Sequence, residues 1–155
     1  MTDYELKIKK YMFDNGIEGQ HLVFEESCHT VEEAARAAEA EPEDLVKNIC
    51  MLDDRGRLIV AIVKGEDRVS KDKLKKLTGS SKMRTLNADE ILQQTGYPCG
   101  GVPSFGYEAE FIVDRRVMEK EMIISGGGSP NSLIKTSPTE IVRVNNGRVE
   151  DIRQD

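Results

Sequence analysis

Apolar positions along this chain change period repeatedly, and the changes mark its elements. From Tyr4 to Asn15 the apolar residues Tyr4, Ile8, Tyr11 and Met12 recur near one face of a helix, and Gly16 stops it. His21 to Phe24 is a short strand. Thr30-Val31-Glu32-Glu33 is a capping box that opens an alanine-rich helix running to about Ala40, and Pro42 suits the first position of a further short helical turn. Val46–Leu52 and Arg57–Val63 are apolar, β-branched runs joined by Asp53-Asp54-Arg55-Gly56, which reads as a hairpin. Ser70 starts a lysine-rich helix ending near Gly79. Lys82–Leu86 is strand-like. Asn87, with Glu90 three residues on, starts a short helix that ends at Gly96. Strands follow near Glu110–Val113, Glu121–Ser125 and Leu133–Thr136. Pro138 opens a last short helix, and Asn145-Asn146-Gly147 is a turn signal. Hairpins mixed with short helices lack the regular alternation of a doubly wound domain. They predict an α/β (α+β) chain: a mixed sheet flanked by short helices, in one domain over residues 1–155.

Composition narrows the classes. A chain of 155 residues is long enough for a hydrophobic core, and 38% apolar with 32% charged residues is a folded composition. No apolar run is long enough to span a membrane, and Met1–Lys10 lacks a signal-peptide core, so the cytoplasm is the expected location. Three widely spaced cysteines, Cys28, Cys50 and Cys99, form neither a disulfide framework nor a zinc knuckle. The net charge of −6 argues against a general nucleic-acid binder. Between Lys64 and Arg84, however, eight basic residues face three acidic ones. This local surplus suits either a solvated helix face or a phosphate backbone held in one orientation.

Gly96-Tyr-Pro-Cys-Gly-Gly-Val-Pro-Ser-Phe-Gly106 holds four glycines and two prolines in eleven residues. Such a segment is neither helix nor ordinary strand. It is either a long connection or a backbone shaped to bring N–H groups to an anion. A second cluster follows at Gly126-Gly127-Gly128-Ser129-Pro130. Catalytic frames are missing: His21 and His29 sit in no hydrolase or metalloprotease pattern, and no phosphate-loop or metal frame occurs. Cys99 lies inside the glycine loop but has no base near it in sequence. Lys47 and Asn48, embedded in Leu45-Val-Lys-Asn-Ile-Cys-Met-Leu52, need an outlet for their polar ends. Snorkelling or a salt bridge on an exposed sheet face is one outlet. A pocket in which the ammonium meets a phosphate is the other.

Val-Lys-Asn-Ile at 46–49, Gly-Tyr-x-x-Gly-Gly-Val-Pro-Ser-Phe-Gly at 96–106 and Ser-Gly-Gly-Gly at 125–128 occur in an order that resembles the YbaK/prolyl-tRNA-synthetase-associated editing domain family. The resemblance covers roughly Gly16 to Val144. It implies a mixed, partly barrel-like sheet with helices around it. The implied activity is hydrolysis of the ester between a misattached small amino acid (Cys, Ala or Ser) and the 3′-terminal adenosine of a tRNA, with tRNA(Pro) the expected carrier. Lys47 matches the family's active-site lysine, which holds the phosphate side of the adenosine, and Asn48 a position that orients the substrate. Gly100 and Gly101 match the loop that stabilises charge, where an oxyanion-hole donor is worth roughly 3 kcal/mol. Tyr97, Pro103, Ser104 and Phe105 fall in the same loop, and Gly126, Gly127 and Gly128 match the segment lining its other side; both sets are implied as substrate-binding. Lys71, Lys73, Lys75 and Lys76 are implied to hold the tRNA acceptor stem. The substrate's own ribose hydroxyl helps activate water in this family, so no protein nucleophile, cofactor or metal is implied. A synthetase is a further implied partner class; a membrane is not. The chain departs from the family pattern at Ser104, which follows Pro103 where many members carry another proline, and at Tyr107. A non-catalytic module binding a tRNA end, a nucleotide or a synthetase is the alternative reading, and a Cys99 thiol enzyme a third.

Overall fold

A computed structural model describes all 155 residues. Its helices are α1 (Asp3–Asp14), α2 (Val31–Ala38), α3 (Lys71–Thr78), α4 (Ala88–Thr95) and α5 (Pro138–Asn145). Its strands are β1 (Gly19–Val23), β2 (Val46–Asp53), β3 (Leu58–Lys64), β4 (Met83–Thr85), β5 (Glu110–Asp114), β6 (Ile123–Gly126), β7 (Ser132–Thr136) and β8 (Arg148–Glu150). Local chemistry sets most boundaries. Capping boxes start α1 at Thr2, α2 at Thr30 and α4 at Asn87, each supplying oxygen acceptors to N–H groups the helix leaves unpaired. Gly79 and Gly96 stop α3 and α4 in the left-handed conformation. The expected hairpin joins β2 and β3. The Asp53 carboxylate accepts from the N–H groups of Arg55 (3.0 Å) and Arg57 (2.9 Å) to close its turn.

The strands form a five-stranded sheet in the order β4-β2-β3-β5-β8 and a three-stranded sheet in the order β1-β7-β6. The pairs β2–β3 and β2–β4 are antiparallel, while β3–β5 and β5–β8 are parallel, so the larger sheet is mixed. β2 shares one edge: β4 pairs its C-terminal half, and a parallel bridge from Leu45 to Ile124 brings β6 to its start. One bridge thereby links the two sheets, and both face a common interior with helices around it, in keeping with the mixed, partly barrel-like sheet expected.

The period of two sorts each strand. Val46, Cys50, Val60, Ile62, Phe111 and Val113 face the interior, with Ile123 and Ile134 from the smaller sheet and Ile8 and Met12 from α1 closing it. Met51, Ile59, Ala61, Val63 and Ile112 face the other way, onto Leu74 of α3. β3 is buried along its whole length, as a central strand covered on both faces must be. A third cluster packs Ala34 and Ala35 of α2 against Leu45, Ile124 and Leu133. Two short elements had no sequence signal: β8 and the 3-10 turn Arg115–Glu119, neither of which carries an apolar period.

Candidate functional site

Lys47 and Asn48 are neighbours on one strand, so alternation sends them to opposite faces of the sheet. Asn48 shares its row with Val46 and Cys50 and turns inward to the glycine loop. Its Nδ2 donates to the Val102 carbonyl (2.8 Å) and to Ser125 Oγ (3.3 Å), and its Oδ1 accepts from Ser104 Oγ (2.8 Å). Ser104 and Ser125, both buried, lie 2.7 Å apart. Asn48, Ser104 and Ser125 make a closed polar ring joining β2, the loop and β6, with the Val102 carbonyl attached to its amide, and the ring accounts for Ser104. A proline there would bring no hydroxyl to the buried Asn48 amide.

Lys47 shares its row with Ile49 and Met51, on the α3 side of the sheet. Its ammonium has no ion-pair or hydrogen-bond partner in the protein. The nearby Asp67 is engaged by Arg116 at 2.7 Å. Burial lowers the Lys47 pKa, the Arg68 cation lowers it further, and Asp67 partly offsets both.

The two glycine clusters pack backbone to backbone. The N–H of Gly128 donates to the Gly101 carbonyl (2.7 Å). A Cβ on Gly101 would lie 2.6 Å from the backbone N of Ser129, and one on Gly126 would strike the Val102 carbonyl. Gly100 has a positive φ of 88°, and the His29 ring occupies the place of its missing side chain. Many of the loop N–H groups are already used: Gly101 donates to Pro98 O (3.0 Å) and Gly127 to Ser132 O (3.0 Å). Those of Gly100 and Val102 have no protein acceptor.

A pocket of about 170 Å³ opens beside these groups. Of the residues implied as catalytic or substrate-binding, Lys47, Asn48, Gly100 and Gly126 border it. Cys28, Val31, Ala34, Leu45 and Leu133 form its apolar side, and His29, Thr30 and Cys99 also border it. Gly101, Pro103, Ser104, Gly127 and Gly128 stand behind the wall rather than on it. Tyr97 and Phe105 are core residues: Tyr97 packs near Tyr4 and Tyr107, and Phe105 stacks on Tyr11. Tyr107 donates its hydroxyl to Pro103 O (2.7 Å), bracing the loop from inside. The loop's aromatic side chains thus support the pocket from the core. Val102, Val31 and Ala34 lay inside motifs the sequence singled out but were not read as site residues, because an apolar residue in a loop or a cap carries no mark of what it will face.

The α3 lysines are not equivalent. Lys73 is held by Asp151 (3.2 Å) and Asp155 (3.1 Å), and Lys75 by Asp72 (3.4 Å), whereas Lys71 and Lys76 are exposed and unpaired. No group of three or more His, Cys, Asp or Glu side chains is arranged to hold a metal, and no helix is long and apolar enough to cross a membrane.

Residues 25–144 match the family model described as "Aminoacyl-tRNA editing domain", and the chain belongs to that family. It is 29% identical over 120 residues to the uncharacterized protein YwhH of Bacillus subtilis, a match covering 76% of each chain. It is 23% identical over 125 residues to an Enterococcus faecalis protein named "Putative Cys-tRNA(Pro)/Cys-tRNA(Cys) deacylase EbsC", covering 79% of this chain and 76% of that one. Its fold is similar to a crystal structure described as "a putative trans-editing enzyme for prolyl tRNA synthetase", with a TM-score of 0.92 at 23% identity over 100% of this chain and 99% of the other.

Proposed function

We propose that this member of the editing-domain family is a free-standing deacylase, with residues 1–155 acting as one editing unit in the cytoplasm. Its substrate is a tRNA, tRNA(Pro) in the first instance, mischarged with a small amino acid: Cys, Ala or Ser. The observation that carries the reading is the meeting of unlike parts in one pocket: an unpaired lysine, two free N–H groups and an apolar side. Each part suits one portion of an aminoacyl ester. The Lys47 ammonium is a point charge for the phosphate of the terminal adenosine. The apolar side, from Cys28 to Leu133, receives the amino-acid side chain. Hydrolysis places negative charge on the ester's carbonyl oxygen, and the N–H groups of Gly100 and Val102 are the donors left to meet it. Removing one such donor typically costs about 10²–10³ in rate. Gly101, with its N–H on Pro98, acts by holding its two neighbours in place.

In this reading the protein supplies position and charge, and the attacking water is activated by the substrate's ribose hydroxyl. Asn48, spent on the loop and on Ser125, sets the shape of the wall. The exposed Lys71 and Lys76 lie on the same face of the sheet as Lys47 and suit the acceptor stem; Lys73 and Lys75 contribute less, since acidic neighbours already neutralise them.

A panel of aminoacyl-tRNAs tests the reading. Wild type is expected to hydrolyse small-residue esters, and Lys47→Ala to lower kcat/KM at least tenfold. If no member of the panel is hydrolysed, the enzymatic reading fails. If Lys47→Ala is as fast as wild type, the site assignment fails. A second reading, a non-catalytic binding module, draws on the many loop N–H groups already consumed within the protein. Salt-dependent binding of uncharged tRNA without turnover is its signature.

A further inference from the structure

α1 lies outside residues 25–144, yet one of its side chains reaches the second glycine cluster. Glu5 is the third residue of that helix and should be a surface group. Instead it is 3% exposed. One carboxylate oxygen accepts from the Thr2 N–H (2.7 Å) as the far half of the capping box. The other accepts from the hydroxyl of Ser129, 2.5 Å away and 124 positions along the chain. A capping box needs only the first contact, so the second requires its own explanation: burying a carboxylate is costly unless it is fully hydrogen-bonded.

Ser129 is the knot of its loop. Its Oγ accepts from the Asn131 N–H (3.1 Å) and lies 2.9 Å from Ser132 Oγ, while its own N–H donates to Ser132 Oγ (3.1 Å). Its backbone fills the space where a Gly101 side chain would stand, and Gly128, one residue earlier, donates to Gly101 O. Gly101 lies between Gly100 and Val102, which carry the free N–H groups on the pocket wall. We infer that Glu5 is a positioning residue: through Ser129 it latches the N-terminal helix onto the second glycine cluster and so fixes the spacing of Gly100 and Val102. Its effect on turnover rests on the deacylase reading above; the latch itself does not.

The test compares Glu5→Ala, Glu5→Gln and Ser129→Ala with Thr2→Ala, which removes the cap hydroxyl and leaves the Glu5–Ser129 contact intact. Amide hydrogen exchange reads the latch without any substrate. Exchange at Gly128 is expected to quicken at least tenfold in Glu5→Ala and Ser129→Ala, with β3 amides as protected as in wild type. Glu5→Gln should recover part of the protection, because its amide can donate to Ser129 Oγ. Thr2→Ala should exchange at Gly128 like wild type. In the deacylation assay the same two variants are expected to lose at least fivefold in kcat with KM within twofold. Should Glu5→Ala not fold, Ser129→Ala carries the test. The latch is overturned if Gly128 exchange is unchanged in Ser129→Ala, or if Thr2→Ala raises it as much as Glu5→Ala does. An unchanged kcat overturns the positioning role. Absence of turnover in wild type sinks the deacylase reading, and the exchange data still decide the latch.

Discussion

Replacing Asn48 by alanine opens the polar ring at its only amide. Three contacts go: Nδ2 to Val102 O at 2.8 Å, Nδ2 to Ser125 Oγ at 3.3 Å, and Ser104 Oγ to Oδ1 at 2.8 Å. Ser104 and Ser125 keep each other at 2.7 Å, so neither hydroxyl is wholly stranded. The Val102 carbonyl loses this donor. With about 1 kcal/mol net for each of the two 2.8 Å hydrogen bonds and a further 1–3 kcal/mol for a buried carbonyl left unpaired, the loss comes to at least about 3 kcal/mol. For a chain of this length that lowers Tm by roughly 6–12 °C. Ser104→Ala removes one of the same bonds and is expected to cost about 1–2 kcal/mol. Because the two share a bond, the double variant should cost less than the sum of the singles by about 1 kcal/mol. Urea denaturation of the four proteins, with m-values compared to confirm equal unfolding, measures both quantities. Additivity within about 0.3 kcal/mol, or an Asn48→Ala cost below about 1 kcal/mol, would refute the ring as a structural unit.

Gly126→Ala places a Cβ against the Val102 carbonyl, and backbone cannot move aside as a flexible side chain can. It is expected to destabilise by at least about 2 kcal/mol and to abolish deacylation; a Tm within 2 °C of wild type argues against the close packing. Asp53 is held at a pKa of about 2, against an ordinary 3.8: burial pushes it up, and hydrogen bonds from Arg57, Ser80 and Arg55 outweigh that push. Its folded pKa is depressed, so its stabilisation is complete above about pH 4 and is lost as pH falls towards 2. At about 1.4 kcal/mol per unit, wild type should lose roughly 2 kcal/mol more than Asp53→Asn over that window in acid-denaturation curves, and parallel curves would contradict this. Cys99 is exposed on the pocket, and Cys99→Ser should keep deacylation within about twofold. A hundredfold loss would instead support the thiol-enzyme reading.

Much of the fold was legible because it is written in local rules. Thr30, Ser70 and Asn87 cap helices by contacts three residues away, and Gly79 and Gly96 stop them with a backbone few other residues tolerate. The hairpin at Asp53–Gly56 and the buried run of β3 follow from turn chemistry and apolar content alone. The ordered motifs at 46–49, 96–106 and 125–128 each lend residues to one pocket. What each residue does there was decided by partners remote in the chain. Asn48 meets Val102 and Ser104 more than fifty positions away, Glu5 meets Ser129 from the opposite end, and His29 fills the space beside Gly100. The glycine loop announced that backbone would come close to something; only the packed structure showed that the first thing it approaches is the other glycine cluster. A hydrogen bond or a close approach between distant segments leaves no periodicity to read. Sequence alone therefore determined most of the elements and the family, and tertiary packing determined which N–H groups stay free and which lysines stay unpaired.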